Sequence, residues 1–467
     1  MHPTICTMRH VWPAFMMALV PTIARAEIEH VIAISVDGLR GDYLRTFIES
    51  TPTDFPNFVR LRNQSAYTYN ARCDYSHSIT VPSHIGMLTS RPVLQPDGML
   101  NTVHHGYASD FPGATETIHL NGNPAVPYKA SIFDVAHDRG LTTAFYASKD
   151  RLTICDRSYN ATNGAPDVVG PDNGKDKINF TQIIERGSPT LRSTLVSHIS
   201  GTLEKFTFFH IAETDYAGHS GGWSTTVGSE YRNAVRTADG HIGAILDAIE
   251  ARPSLSGKVA IVLSADHGGG GSTPTSHLES SFFGNYNIPL FVSAPGFAGG
   301  TDLYRWFSNR VPPDDNRPDY AAPGQPLRNT DVGNLSAALL GLPSIPGSLS
   351  NPELIKPVTV ERTGSDFTVR WPAYLTGYEL ESTSQFAPPN WQRVTSGITQ
   401  AGESFVYSFT AAPGVTEQFF RLRLKPDQPP NANARWLPLD RPQSMTKPAI
   451  KKRRYRLLPD GSLELLR

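Results

Sequence analysis

His30-Val31-Ile32-Ala33-Ile34-Ser35-Val36, followed at once by Asp37-Gly38, is the stretch on which the fold turns. It is an almost unbroken apolar, β-branched run, the composition of a strand covered on both faces. Thr142-Thr143-Ala144-Phe145-Tyr146, Phe206-Thr207-Phe208-Phe209-His210-Ile211 and Lys258-Val259-Ala260-Ile261-Val262-Leu263 read the same way. Helical patterns lie between them. The clearest carries Tyr231, Val235, Ala238, Ile242, Ile245, Leu246 and Ile249 as a stripe of helical period. Strand and helix in alternation predict an α/β domain over residues 27–350, with helices around a mostly parallel sheet.

Beyond Pro346 to Pro357 the pattern changes to alternation of period two: Phe367, Val369 and Trp371; Tyr378 and Leu380; Phe405, Tyr407 and Phe409; Phe420, Leu422 and Leu424. This predicts a small antiparallel β-sandwich over residues 357–424. Residues 425–467 are rich in proline and then basic (Lys451-Lys452-Arg453-Arg454-Tyr455-Arg456), the pattern of a solvated tail. At the other end, Arg9 and His10 precede a short apolar run from Val11 to Val20, and Ala24-Arg25-Ala26 is a small-x-small cleavage site. Residues 1–26 are expected to be a signal peptide, and the mature protein to be exported and to start near Glu27. The apolar run is too short to span a bilayer, and no later segment approaches that length.

A formal net charge of −1 over 467 residues gives no global field toward nucleic acid or an anionic membrane. Cys73 and Cys155 are the two cysteines beyond the expected signal peptide, so a disulfide-built scaffold is excluded. One bridge between them is expected, because Cys73 shortly precedes Thr80 and Cys155 shortly follows Arg151; two buried thiols are the alternative.

The chemistry is concentrated in two runs, Thr214-Asp215-Tyr216-Ala217-Gly218-His219 and Ser264-Ala265-Asp266-His267-Gly268-Gly269. Each brings a carboxylate and an imidazole together just past a predicted strand. Asp37 occupies the same kind of position, at the sheet edge where α/β proteins bind ligands. Clustered carboxylates repel unless cations sit among them. Oxygen with imidazole nitrogen suits zinc, manganese or iron better than calcium or magnesium alone. Asp266 and His267 with Asp37 form one expected half-site. Asp215 and His219 form the other with His277, which the Gly268-Gly269-Gly270-Gly271 run would bring back over the ions. Thr80, in Ser78-Ile79-Thr80-Val81-Pro82-Ser83-His84, opens a helical pattern and is the candidate nucleophile; a helix N-cap is its plain alternative.

The order Val36-Asp37-Gly38, Thr80-x-Pro, Asp215-x-x-x-His219, Asp266-His267-Gly268 and His277 resembles the alkaline phosphatase superfamily, closest to its nucleotide pyrophosphatase/phosphodiesterase-like (type I phosphodiesterase) branch. The resemblance implies two divalent metals, zinc first and manganese or iron otherwise. Asp37, Thr80, Asp266 and His267 would hold one, and Asp215, His219 and His277 the other. It implies a phosphoryl intermediate on Thr80 and a small phosphoric ester as substrate. Ser83 stands where many diesterase relatives carry an asparagine that binds a phosphoryl oxygen. Thr80 and His84 depart from the sulfatase pattern. Lys149 and Arg151 are similar to the Lys-x-Arg pair that grips phosphate in some monoesterases of the superfamily. A phosphomonoesterase is therefore the main alternative, with a non-catalytic binding protein or a phosphoryl transferase behind it. His104 and His105 are expected at the mouth of the pocket or as ordinary loop residues. The Phe419-Phe420-Arg421-Leu422-Arg423 run resembles the end of short modules on exported bacterial enzymes, which implies a carrier or attachment role.

Overall fold

The computed structural model describes residues 28–424, except 172–173, 296, 298, 355–358, 364, 373–377, 385–389, 403 and 411–417, together with the strands Arg454–Leu457 and Leu463–Leu466. The expected signal peptide lies outside the described residues. Eight strands form the main sheet: β1 His30–Val36, β2 Ala66–Arg72, β3 Thr143–Ala147, β4 Phe180–Ile183, β5 Phe206–Ile211, β6 Val259–Ser264, β7 Asn287–Ser293 and β8 Thr301–Asp302. Their order is β4-β3-β5-β1-β6-β7-β2-β8. Pairing is parallel from β4 to β6 and antiparallel where β7 meets β6 and β2. The α/β fold with a mostly parallel sheet is thus present. β7 therefore runs against the other strands, and β2, β4, β7 and β8 were not among the strands read from the sequence.

β1 is buried at every position, as its nearly continuous apolar run requires. The amphipathic stripe forms helix Glu230–Glu250, with Tyr231, Val235, Ala238, Ile242, Ile245 and Leu246 buried. Register then places the site. Ser35 of β1 lies opposite both His210 of β5 and Ser264 of β6. Asp37 and Asp266 each follow by two residues, so the same sheet edge carries both. Helix Glu213–Gly221, bearing Asp215 and His219, starts just past β5 at that edge.

The C-terminal strands are β9 Thr359–Thr363, β10 Asp366–Pro372, β11 Tyr378–Thr383, β12 Gln392–Arg393, β13 Ile398–Ala401, β14 Ser404–Thr410 and β15 Phe419–Leu424. They form a four-stranded sheet, β13-β14-β10-β9, and a three-stranded one, β12-β11-β15, both antiparallel. Val369, Trp371 and Leu380 are the buried centre of their own small core. Within the expected tail, Arg454–Leu457 and Leu463–Leu466 pair as an antiparallel hairpin, an element the basic composition gave no sign of.

The expected disulfide is not formed: Cys73 and Cys155 are both free and buried. Cys73 Sγ turns to the carbonyls of Asp74, at 3.4 Å, and Asn285, at 3.7 Å, beside β7. Cys155 is inside helix Thr153–Tyr159, packed in the main core. Proximity in sequence to two site residues did not bring the sulfurs together. Burial pushes both thiols well above their ordinary range, which keeps them unreactive.

Candidate metal centre

Three carboxylates at this edge share one arrangement: one oxygen is fixed and the other is bare. Asp266 Oδ1 accepts from the amides of Gly38, at 3.0 Å, and His267, at 2.8 Å. Asp37 Oδ2 accepts from His210 Nε2, at 2.9 Å, and pairs with Lys149 Nζ at 2.8 Å. Asp215 Oδ2 accepts from Lys149 Nζ at 2.6 Å. Their remaining oxygens, Asp266 Oδ2, Asp37 Oδ1 and Asp215 Oδ1, are buried with no hydrogen-bond partner. Leaving such an atom unsatisfied costs about 1–3 kcal/mol, more for a charged group.

The histidines repeat the arrangement. Nδ1 of His267 lies 2.7 Å from the Gly268 carbonyl, Nδ1 of His219 lies 3.0 Å from that of Thr275, and Nδ1 of His277 meets that of Ser78. A carbonyl only accepts, so each Nδ1 carries the proton and each Nε2 presents a lone pair. Holding one ring nitrogen this way is how proteins aim imidazoles at metals. His267 Nε2 is buried without a partner, 3.2 Å from Asp266 Oδ2 and 3.6 Å from Asp37 Oδ1. His277 Nε2 and His219 Nε2 face each other at 3.1 Å and lie 3.8 and 3.5 Å from Asp215 Oδ1. A cation between these two lone pairs would satisfy both. The residues therefore fit two cations, one for Asp37, Asp266 and His267 and one for Asp215, His219 and His277.

The first of those groups is among the clusters able to hold a metal; Asp215, His267 and His277 form another, so His267 faces both half-sites. A third, Asp37 with His84 and His210, fits less well. His84 spends Nδ1 on the Thr80 carbonyl at 2.7 Å and Nε2 on Ser35 Oγ at 2.9 Å.

Charge follows the same geometry. Burial would raise the Asp37 carboxyl, but the Lys149 ammonium and the His210 hydrogen bond hold it well below the usual range. Burial and the neighbouring Asp37 charge push Asp266 well above it. Burial would lower Lys149, yet Asp37 and Asp215 raise it, so it remains charged. Burial and then His267 push His277 down to about 3, leaving its imidazole neutral as a ligand must be.

Thr80 is the first residue of helix Thr80–Thr89, and the cap position is Ile79, so its hydroxyl does not cap the helix. Thr80 Oγ instead lies 3.1 Å from Lys149 Nζ. His277 is tied to the start of this helix twice, through the Ser78 carbonyl and a hydrogen bond from Ser78 Oγ to its own carbonyl. Ser83 differs from its expected role: its buried hydroxyl donates to the His77 carbonyl at 3.4 Å and is not offered to the centre. Arg151 is also set apart from Lys149, because Asp110 Oδ2 takes its guanidinium. Asp110 Oδ1 accepts from the Val81 amide at 2.8 Å, which brings this ion pair beside Thr80. His105 is fully buried, its Nδ1 accepting from the Tyr107 amide, and does not line a mouth; His104 contacts Asn123.

The glycine run also acts differently from the expected flexible return. Gly268 and Gly269 donate to the carbonyls of Asn285 and Gly284, both at 2.8 Å. A Cβ on Gly269 would lie 2.0 Å from the Trp223 ring, so glycine here permits close packing. Asp110 and His210 escaped the sequence reading. A lone ionisable residue in the apolar run Phe206–Ile211 was the available signal for His210; Asp110 had none.

Residues 102–284 match the family model of Type I phosphodiesterase / nucleotide pyrophosphatase. That segment holds Asp215, His219, Asp266, His267 and His277, and the match bears out the resemblance carried by the motifs. No curated protein matches the chain. Among solved structures, Ps i-CgsB in complex with k-i-k-neocarrahexaose is similar at 14% identity, over 79% of this chain and 86% of that one, with a TM-score of 0.43. Murine ectonucleotide pyrophosphatase / phosphodiesterase 5, in an inactive form with AMP, is similar at 11% identity, over 68% and 96%, at 0.44. A Vibrio parahaemolyticus protein of the alkaline phosphatase superfamily follows at 11% identity, over 80% and 84%, at 0.43.

Proposed function

We propose that this protein is an exported, two-metal hydrolase of phosphoric diesters or pyrophosphates that works through a phosphothreonine at Thr80. The observation that carries the reading is the set of four buried ligand atoms without partners, Asp37 Oδ1, Asp215 Oδ1, Asp266 Oδ2 and His267 Nε2, converging beside a hydroxyl. When bound, two divalent cations would neutralise the carboxylates, lower the pKa of the Thr80 hydroxyl and draw charge from the phosphoryl oxygens. Zinc is the first expectation from the resemblance; the ligand types suit zinc, manganese or iron alike. Thr80 Oγ attacks phosphorus, the bond to the departing alcohol or phosphate breaks, and that group takes a proton. Water then splits the phosphothreonine, releasing the phosphomonoester and restoring the hydroxyl. The β-strand module over 357–424 has no part in this chemistry, and the signal peptide accounts for export.

A monoesterase is the second reading, favoured by the contact of Lys149 with Thr80. Against it, Lys149 is already matched by Asp37 and Asp215, and Arg151 by Asp110. A dianionic monoester rewards extra positive charge, whereas a diester with one negative charge does not need it. In the described residues no helix is long and apolar enough to cross a membrane. Turnover of bis-p-nitrophenyl phosphate, p-nitrophenyl phosphate and p-nitrophenyl sulfate, with elemental analysis, tests the proposal. The diester is expected to be the best substrate, with two transition-metal ions bound per chain. Dominant monoester turnover, lost selectively in Lys149→Ala, would move the assignment to the second reading.

A further inference from the structure

We infer that His210 is a positioning residue that aims Asp37 at its metal, an inference that rests on Asp37 being a ligand. His210 is a fully buried residue of β5, between the strand ends that carry Asp37 and Lys149. The Ser148 amide lies 3.2 Å from its Nδ1. A main-chain N–H only donates, so Nδ1 holds the lone pair and the proton sits on Nε2. Nε2–H is then the donor to Asp37 Oδ2 at 2.9 Å. The backbone thus sets the tautomer, and the tautomer sets which Asp37 oxygen is taken.

The consequence is directional. With Oδ2 held by His210 and Lys149, Asp37 presents Oδ1, bare and buried, toward His267 Nε2 at 3.6 Å. Ser148 immediately precedes Lys149, so the same ring also holds the loop that delivers the ammonium to Oδ2. Ser148 Oγ adds a contact of 3.1 Å to the His210 carbonyl. One side chain therefore ties the ends of β1, β3 and β5 around a single carboxylate. Among the described hydrogen bonds the Asp215 half-site meets this ring indirectly, through Lys149 on Asp215 Oδ2, so its affinity should change less than that of the Asp37 half-site.

Zinc binding to purified full-length protein, by competition with a chromogenic chelator, tests this on His210→Phe and His210→Gln. Phenylalanine keeps the ring without a donor; glutamine keeps an amide donor at the reach of Nε2. The parent should bind two ions. His210→Phe should keep one ion with the smaller loss, which also shows that it is folded, and bind the other about 10–100-fold more weakly than the parent. His210→Gln should stay within about threefold of the parent for both ions. Raising zinc should restore most of kcat in His210→Phe. Parental affinity for both ions in His210→Phe, or equal losses in the two variants, would overturn the inference while leaving the two-metal reading intact. A parent that binds no transition metal would overturn that reading, and this inference with it.

Discussion

Replacing Lys149 with alanine removes the one ammonium that sits 2.8 Å from Asp37 Oδ2 and 2.6 Å from Asp215 Oδ2. All three groups are buried, so solvent cannot take over. Breaking a buried pair by deleting one partner typically costs about 3–5 kcal/mol. Protonating one of the two carboxylates left behind would relieve their repulsion, and neutralising an ordinary carboxylate at pH 7 costs about 1.4 kcal/mol for each of roughly three pH units, or ~4 kcal/mol. The metal-free variant is therefore expected to be about 3–4 kcal/mol less stable, a drop in Tm of about 6–8 °C at the low end of the usual conversion. Two divalent ions bound to the bare oxygens supply the missing positive charge. In excess zinc the same variant should melt within about 2 °C of the parent. Thermal unfolding in chelator and in zinc measures both differences. An equal loss under the two conditions would refute the reasoning, because it would mean that Lys149 stabilises by packing alone. No loss in chelator would do so as well.

Thr80→Ala should leave fold and metal content largely intact and lower turnover by several orders of magnitude; near-parental activity would show that water attacks phosphorus directly. Metal uptake should depend on pH in a set direction. Burial and the Asp37 charge raise Asp266, so the metal-free fold binds more protons than the unfolded chain above the ordinary carboxylate pKa, and its stability falls as pH rises toward the raised value. A metal displaces that proton, so the zinc-induced rise in Tm should grow between about pH 5 and 8. His277, pushed down to about 3, is neutral throughout this window and contributes nothing to the trend; a flat or shrinking rise would contradict the assignment. Gly269→Ala places a Cβ 2.0 Å from Trp223, whose Nε1 is committed to the Gly38 carbonyl at 2.8 Å. It should cost about 1–3 kcal/mol, seen in urea melts of the metal-free protein.

The α/β architecture was legible along the chain because burial on both faces leaves a local signature: β1 and β5 are mostly apolar runs, and the helix Glu230–Glu250 repeats its apolar stripe at helical period. The ligand candidates were legible for a related reason, since a carboxylate just past a strand end is conspicuous wherever the strand itself is clear. Tertiary structure decided everything that depends on direction. Lys149 and Arg151 are two residues apart, yet one points into Asp37 and Asp215 and the other is taken by Asp110. Ser83 lies three residues past Thr80 but turns its hydroxyl to His77. Cys73 and Cys155 are each near a site residue in sequence, and packing keeps both as free thiols. His210 carries no motif at all; its role exists only because parallel register sets it beside Asp37 and the Ser148 amide. Periodicity records how much of a residue is buried, whereas the atom a side chain faces is fixed by strands that meet only when the sheet has formed.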